Sequence, residues 1–314
     1  MNLNIPIIYH FTKSRIEELH YFRFLPTLTL NYRPSINWDL SLYAAHRDEA
    51  PSYTDEMTGV VLLNNNMLMS RDLKTPKKNI MNLGGRIHYK NIQKAFFMTL
   101  WVNSSTNWMN SLADVSFEDN AFNLKLIAYP HRTTSWNIGA EVDWYLRALG
   151  TKISLNPQMI LANSKAVRDH KPIDIQNRIY SIVGSADMVP LEWLRTRYIG
   201  KVSLALHQVA HSDETPRQDQ SHTLSLSLFP TKGLEIQGKL TYTSTRIQRQ
   251  YSDALLGDLT MSYVFNKHFE VVGEWNNVFN SSSLIVTEPI SSDILSTLFY
   301  FRPSEVLFRC IFTF

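Results

Sequence analysis

In the last segment of the sequence, Ser304–Phe314, apolar residues recur at every second position, which is the period of a β-strand. Every second residue from Val306 to Phe314 is apolar, and Arg309 and Thr313 lie among the residues between them. Successive side chains of a strand point to opposite faces, so the segment presents one continuous apolar face. Such a face promotes aggregation when it meets water, but a barrel strand buries it in lipid. The pattern therefore predicts the closing strand of a transmembrane β-barrel.

Composition is compatible with a strand-rich protein but indicates no particular enzymatic or binding activity. The chain has 314 residues, of which 12% are aromatic, a richness that suits strands and membrane interfaces. A formal net charge of +3 is too mild to indicate a nucleic-acid partner. The single cysteine, Cys310, excludes an intramolecular disulfide. The Gly-rich and nucleophile motifs of the common soluble enzymes are missing from the sequence.

Hydropathy argues for strands as the membrane-crossing elements. The sequence contains no uncharged apolar stretch of the length that a transmembrane helix needs. A barrel strand needs only about 9–11 residues, of which every other one is apolar. The first ten residues lack the basic and apolar regions of a signal peptide. A barrel strand pattern of this kind predicts an outer-membrane protein, which must be exported. We therefore expect the chain to be an N-terminally truncated fragment.

The clearest strand pattern covers residues 135–147. One face is apolar throughout, from Trp136 to Leu146, whereas the other carries carboxylates in mid-strand. Buried carboxylates are tolerable where that face meets a wet lumen and very costly where it meets lipid. The same split recurs in later segments. The charged residues that we predict to face the lumen are Glu141, Asp143, Lys239, Glu270 and Glu274.

The connections between these segments fall into two kinds, which is typical of a barrel with short periplasmic turns and long extracellular loops. The short connections are predicted at 33–37, 90–93, 130–134, 188–192, 230–233 and 266–268. The long or polar connections are predicted at 48–79, 106–120, 149–174, 210–219, 248–253 and 281–297. Aromatic residues flank the short turns, as an interfacial girdle would: Tyr32, Trp38, Tyr89, Trp136, Trp193, Phe229, Phe265 and Phe269. The pattern gives about fourteen strands, with residues 3–11 as the first and 301–314 as the last.

The region 265–314 resembles the C-terminal barrel end of the TonB-dependent outer-membrane receptors. Trp275–Asn280 is similar to the end of that family's penultimate strand, Arg302–Leu307 to the start of its last strand, and Phe314 to its terminal aromatic residue. The residues that carry the family motif and the expected assembly signal are Asn276, Asn277, Phe279, Asn280, Arg302, Pro303, Phe312 and Phe314.

The resemblance implies an all-β fold, a large transmembrane barrel of about twenty-two strands with a plugged lumen. The sequence departs from that pattern, because it has room for only about fourteen strands and shows no plug. We therefore expect a transmembrane antiparallel β-barrel of about fourteen strands that is part of a larger barrel. Residues 1–314 would form the C-terminal portion of the barrel domain, without a separate plug domain. The implied role is to provide the wall and extracellular loops for uptake of a large nutrient, such as an iron chelate, vitamin, peptide or glycan. The implied location is the outer membrane of a Gram-negative bacterium. The implied partners are outer-membrane lipid, the barrel-assembly machinery and, in the intact parent, an energy-coupling system.

Other interpretations remain open at this point. A smaller ungated porin-like or structural barrel has the same strand pattern. A barrel enzyme needs a nucleophile with a histidine at the rim, and no such pair stands out, so we predict no catalytic residues and no cofactor. His207 and His211 have the spacing of helical metal ligands but lie where a strand meets a loop, and we predict no metal site. A soluble β-sandwich is the remaining alternative.

Overall fold

The computed structural model describes residues 2–4, 6–13, 18–49, 61–64, 67–71, 77–118, 121–168, 171–210, 212–248, 250–290 and 293–313. These residues form strands joined mostly by tight turns, with a single 3-10 turn at Arg147–Leu149. The strands are β1 (Asn2–Asn4), β2 (Ile7–Lys13), β3 (Glu18–Phe24), β4 (Thr27–Ser35), β5 (Trp38–Glu49), β6 (Val61–Asn64), β7 (Met67–Arg71), β8 (Lys78–Asn91), β9 (Phe96–Glu118), β10 (Ala121–Leu146), β11 (Thr151–Arg168), β12 (Lys171–Leu191), β13 (Leu194–Val209), β14 (Thr215–Thr231), β15 (Leu234–Ile247), β16 (Gln250–Asn266), β17 (Phe269–Asn276), β18 (Ser283–Ile290), β19 (Asp293–Tyr300) and β20 (Glu305–Phe312).

One long antiparallel sheet dominates the structure. Its strand order is β1-β4-β5-β8-β9-β10-β11-β12-β13-β14-β15-β16-β17-β20, so neighbours in space are mostly neighbours in sequence. Strand β7 joins this sheet parallel to β10 and pairs with β6, whereas β2–β3 and β18–β19 form separate hairpins. The prediction of an all-β antiparallel fold is confirmed. The expected count of about fourteen strands agrees with this order, although the N-terminal strand is β1 rather than residues 3–11.

The sheet has two free edges among the residues that the structure describes. Strand β20 pairs with β17 alone, and the three residues of β1 pair with β4 alone. An edge strand presents a row of unpaired backbone groups that another strand can satisfy. The sheet is therefore open within the described part of the chain.

The six tight turns at one end of the strands define what we call the short-turn edge. They lie at 36–37, 92–95, 147–150, 192–193, 232–233 and 267–268. The predicted short connection at 130–134 is wrong, because these residues continue β10 past an irregularity between Ala128 and His131. The turn that follows β10 is at 147–150, where Gly150 takes a left-handed conformation at φ 55° that favours glycine.

Two of the predicted long loops are also wrong. Most of residues 106–120 belongs to β9, and most of 149–174 belongs to β11 and β12. Strands β9, β10 and β12 have 23, 26 and 21 residues, well above the roughly 9–11 that a bilayer crossing requires. These strands therefore continue past the apolar part of the sheet toward the opposite end, which we call the long-loop edge.

Candidate functional site

The pairing register divides the sheet into two faces, because directly paired residues point to the same side and residues two apart share a side. One path of directly paired residues starts at Asp143 in β10, passes through β11, β12, β13 and β14, and ends at Thr241 in β15. A second path joins Gln237, on the same side of β15, to Glu274. The residues on the two paths are Asp143, Ser154, Ser185, Ile199, Thr223 and Thr241, followed by Gln237, Thr260 and Glu274.

The register therefore brings together residues that lie far apart in the sequence. The charged residues predicted to face a lumen all lie on this side, namely Glu141, Asp143, Lys239, Glu270 and Glu274. We call this side the polar face. Their role as lumen-facing residues stays a prediction, since the register fixes a common side and not what that side meets.

Charged side chains of the polar face find partners within the face. The carboxylate of Asp143 accepts a hydrogen bond from the Ser154 hydroxyl and lies 3.5 Å from the Lys152 ammonium. The guanidinium of Arg309 donates to Glu274 at 2.6 Å. These contacts satisfy charged groups of the polar face within the protein itself.

A second polar network lies nearer the long-loop edge. Asp219 pairs with Arg217 at 3.0 Å and accepts a hydrogen bond from the Thr245 hydroxyl. The buried His207 lies 2.6 Å from the Asn177 side-chain oxygen. Residue 211 lies outside the described residues. Within the described part of the chain, no group of three or more His, Cys, Asp or Glu side chains could hold a metal ion.

The opposite side, which we call the apolar face, carries large hydrophobic side chains with little to cover them. Val202 and Ile182 are 52% and 53% exposed, and Phe308 is 82% exposed. No large side chain is fully buried in the described residues. No helix there is long and apolar enough to cross a membrane. An exposed apolar surface of this extent is typical of an interaction with protein or lipid rather than with water.

Aromatic rings follow the short-turn edge along the apolar face. The ring centroids of Trp38 and Tyr89 lie 4.7 Å apart, those of Tyr89 and Phe96 6.2 Å, and those of Phe96 and Trp144 6.4 Å. The prediction of aromatic residues next to the short turns therefore holds for Trp38 and Tyr89. Trp136 lies within β10 instead, and Trp144 occupies the position beside the turn.

The series of rings resumes at the C-terminal end of the sheet. Phe265 contacts Tyr263 at 4.5 Å and Phe269 at 5.2 Å, and Phe269 stacks on Phe312 at 4.9 Å. The first contact lies within β16, the second spans the β16–β17 turn, and the third joins the paired strands β17 and β20. Rings in this position match the aromatic belts of membrane proteins, which sit at the level of lipid headgroups.

The predicted family motif forms the junction between β17 and β20, centred on Asn277. This residue is 6% exposed and has a left-handed backbone at φ 51°. Its backbone N–H donates to the Asp258 carboxylate at 3.0 Å. Its side-chain amide donates to the carbonyls of Ser281 at 2.8 Å and Arg302 at 2.7 Å, and its oxygen accepts from the Ser281 N–H at 3.0 Å. A single side chain thus ties both ends of the β17–β20 connection together.

The neighbouring motif residues extend this junction. The Asn280 N–H donates to the Asn277 carbonyl at 2.8 Å, and the Asn280 side-chain oxygen accepts from the Ser304 N–H at 3.1 Å. Asn276 contacts Glu305 through its side-chain amide at 3.4 Å, and Arg302 lies 3.7 Å from the same carboxylate. These contacts set where β20 begins beside β17.

The remaining motif residues have separate positions. The ring of Phe279 covers Gly257, where an added Cβ atom would lie 2.5 Å from the ring. Pro303 is exposed in the segment before β20, and Phe312 belongs to the aromatic series. Phe314 lies outside the described residues. The structure thus brings six of the eight motif residues to one junction and places Phe312 at the opposite end of β20.

The β18–β19 hairpin lies between the two ends of this junction and contacts the polar face. The Ile285 N–H donates to the Ser252 hydroxyl at 3.0 Å, and Ser252 shares its side of β16 with the buried Ala254. Nearby, the Ser281 hydroxyl donates to the Leu255 carbonyl. The sequence indicated only a long loop at 281–297, since the hairpin pairing depends on contacts between distant residues.

Comparison with known proteins identifies the fold. No family model matches the sequence, and no curated protein matches it. The structure matches the FrpB iron transporter from Neisseria meningitidis with a TM-score of 0.58 at 10% identity, over 85% of this chain and 44% of FrpB. It also matches a mutant of the ferric enterobactin receptor PfeA from Pseudomonas aeruginosa in complex with enterobactin. That match has a TM-score of 0.56 at 8% identity, over 92% of this chain and 45% of the receptor.

The sheet has the fold of part of the FrpB and PfeA barrels. This result confirms, at the level of fold, the TonB-dependent receptor barrel that the C-terminal motifs predicted. The chain spans less than half the length of the solved receptors that it matches. Their sequences are too different from this one to transfer a ligand or a binding residue.

Proposed function

We propose that the chain forms the wall and the extracellular loops of a TonB-dependent-receptor-like barrel in the outer membrane of a Gram-negative bacterium. The observation that carries the proposal is the two-faced sheet, whose fold matches the receptor barrels over 85% and 92% of this chain. In lipid every backbone donor and acceptor needs a partner, and a closed sheet of strands satisfies that need. Closure requires the free edges of the sheet to pair, either with each other or with further strands.

The two ends of the strands suggest an orientation. Short turns of outer-membrane barrels face the periplasm and longer loops face the outside. The short-turn edge, with its aromatic rings, would then lie at the periplasmic interface. The long-loop edge, with the extended strands β9, β10 and β12, would project outward, and the polar face would line the lumen. In this arrangement residues 1–314 supply the barrel wall, and the plug that such a receptor needs would be a separate unit.

The proposed cargo is a large, scarce nutrient, with an iron chelate as the leading class. Support comes from the matched FrpB and PfeA structures, which are described as an iron transporter and a ferric enterobactin receptor. In the intact parent, extracellular loops would capture the nutrient and an energy-coupling system of the inner membrane would drive its passage. Outer-membrane lipid and the barrel-assembly machinery complete the proposed set of partners.

The experiment that tests the proposal is uptake by cells that carry the intact parent gene. We expect the protein to fractionate with the outer membrane, to need detergent for extraction, and to support growth on a ferric chelate only while energy coupling is active. Uptake that persists without energy coupling would identify an ungated porin-like barrel instead. Extraction into buffer without detergent would overturn the membrane assignment.

A further inference from the structure

A cavity of about 470 Å³ lies at the short-turn edge, between the β8–β9 turn and the end of β10. Its lining combines rings, aliphatic side chains and two basic residues. The lining residues that form the proposed site are Lys94, Phe96, Trp144, Arg147 and Leu149. None of them belongs to the receptor motif or to the predicted lumen set, so the cavity is independent of both.

Backbone contacts build this cavity. The Tyr145 N–H donates to the Ala95 carbonyl at 3.0 Å, which holds the β8–β9 turn against the end of β10. The Lys94 N–H donates to the Asn91 side-chain oxygen at 3.0 Å. On the other side, the Gly150 N–H donates to the Arg147 carbonyl. Both basic residues therefore stand on tight turns that are tied to the sheet, at the mouth of one cavity.

The two basic side chains at the mouth have no acidic partner among the described residues. Lys94 and Arg147 are exposed and take part in no ion pair there. Their neighbours differ: Lys90 lies 3.7 Å from Asp39, and Lys152 lies 3.5 Å from Asp143. The mouth of the cavity thus carries two positive charges that an anionic group could neutralise.

The interior of the cavity is apolar and continuous with the apolar face. Phe96 and Trp144 lie edge to face with ring centroids 6.4 Å apart, and both point to the apolar side of the sheet. Leu149 is 64% exposed beside them. A free inorganic anion would gain nothing from this surface. A molecule with an anionic head and a hydrocarbon chain would neutralise the charges and cover the rings.

We propose that this cavity binds the headgroup of an anionic phospholipid. Lys94 and Arg147 contact the phosphate, and Phe96 and Trp144 pack against the first part of an acyl chain. The inference rests on the proposed function, because the apolar face must lie in lipid for an acyl chain to follow it. Basic residues beside a membrane interface attract anionic lipids, and their long side chains reach the headgroups from an apolar surface.

The test uses the full chain in detergent micelles, with lipid retention measured by native mass spectrometry. Phosphatidylglycerol is compared with phosphatidylcholine of the same acyl chains, and with glycerol phosphate as a headgroup that lacks chains. We expect retention of phosphatidylglycerol above both. The double variant K94Q/R147Q should weaken this retention on the order of tenfold, because each cation contributes to attraction of an anionic headgroup.

A matched control removes the same charge from the same edge. The double variant K232Q/K267Q changes exposed lysines of the β14–β15 and β16–β17 turns, away from the cavity. It should retain phosphatidylglycerol as the unmodified chain does. Equal losses in both double variants, equal retention of the two lipids, or equal retention of glycerol phosphate would each overturn the proposal.

A separate measurement distinguishes failure of the site from failure of the proposed function. Insertion into lipid vesicles is followed by protection of the chain from an added protease. A chain that does not insert would contradict both proposals. A chain that inserts normally but does not discriminate between the two lipids would contradict the headgroup site alone.

Discussion

The two faces of the sheet differ in where their side chains find partners. On the polar face, Asp219 pairs with Arg217 and accepts a hydrogen bond from Thr245, all within the protein. On the apolar face, Val202 and Ile182 remain more than half exposed, and no packed layer covers them among the described residues. Charged groups of the polar face therefore pair with one another, whereas the described residues do not cover the apolar face.

Adjacent residues of β13 test this difference most strongly. Val202 lies on the apolar face, and Ser203 lies on the polar face opposite Asp219. An arginine near the middle of a lipid-facing strand costs about 2–4 kcal/mol of folding free energy. We expect V202R to lose about that amount and S203R to lose much less, measured by urea titration of the full chain in lipid vesicles. Equal losses would contradict the assignment of the faces.

The junction at Asn277 connects the two faces, because Asn277 bonds to Asp258 on the polar side while Phe279 covers Gly257 on the apolar side. The substitution N277A removes the buried side-chain amide and, at two part-buried hydrogen bonds, leaves the carbonyls of Ser281 and Arg302 without their donor. We expect a loss of about 2–3 kcal/mol, measured by thermal unfolding in detergent.

The variant N277G is the control for backbone strain. Glycine accepts the left-handed conformation at φ 51° but makes none of the side-chain bonds. If the hydrogen bonds stabilise the junction, N277G is also destabilised. If only the backbone conformation matters, N277G should be as stable as the unmodified chain, and the role assigned to the amide would be wrong.

The apolar side of the junction is tested by overpacking. The substitution G257A places a Cβ atom 2.5 Å from the Phe279 ring, so the ring must move. Overpacking of this kind costs about 1–3 kcal/mol, and we expect a value near the lower end because Phe279 is 53% exposed. In a double-mutant cycle, F279A should remove most of the penalty of G257A. Additive losses would show that the two sites do not interact.

The smallest expected effect concerns an ion pair of the polar face. Arg309 donates to Glu274 at 2.6 Å, but the arginine side chain is 61% exposed. Exposed pairs contribute about 0–1 kcal/mol and are weakened by salt. We expect E274Q to lower the unfolding free energy by less than about 1 kcal/mol, with the difference shrinking at high salt. A loss that is large and independent of salt would indicate a dry environment and contradict a water-facing side.

Alternation in the sequence was sufficient to predict the two faces. Glu141 and Lys239 are almost a hundred positions apart, yet each was assigned by its immediate neighbours, and the register places both on one side. The side-chain period of a strand is two everywhere, so a local pattern carries information about the whole sheet. The terminal strand at Ser304–Phe314 was predicted for the same reason.

The wrong loop assignments have a physical cause. The end of β9 and much of β11 are polar or irregular in pattern, and an irregularity between Ala128 and His131 interrupts β10. In the proposed barrel, both sides of the outer ends of β9, β11 and β12 would meet water, so alternation would not be needed there while backbone pairing persists. The first half of β11 lies at the short-turn edge beside β10 and was missed for another reason, the interruption of its pattern at Asn156 and Pro157. From the sequence alone, residues 106–120 and 149–174 are therefore predicted to be loops. Only the pairing partner of each strand identifies them as strands.

The junction at Asn277 shows a second limit of prediction from the sequence. The motif predicted that Asn277, Asn280 and Arg302 matter, but it did not predict which atoms they join. Those bonds link residues 25 positions apart across the β18–β19 hairpin. The cavity beside Lys94 and Arg147 was also missed, because no linear pattern joins a turn after β8 to a turn after β10. The sequence feature that could have pointed to the cavity is the basic residue in each of the two turns, Lys94 and Arg147.

The central claim, that one face of the sheet meets lipid and the other meets water, is tested most directly on β20. Cys310 is the one cysteine of the sequence and lies exposed on the apolar side, and Arg309 beside it lies on the polar side. A spin label on Cys310 is compared with one on R309C in a C310S background, with the full chain in lipid vesicles. We expect the first label to be quenched by dissolved oxygen and the second by a water-soluble nickel complex. Equal exposure of both labels to the nickel complex would contradict the central claim.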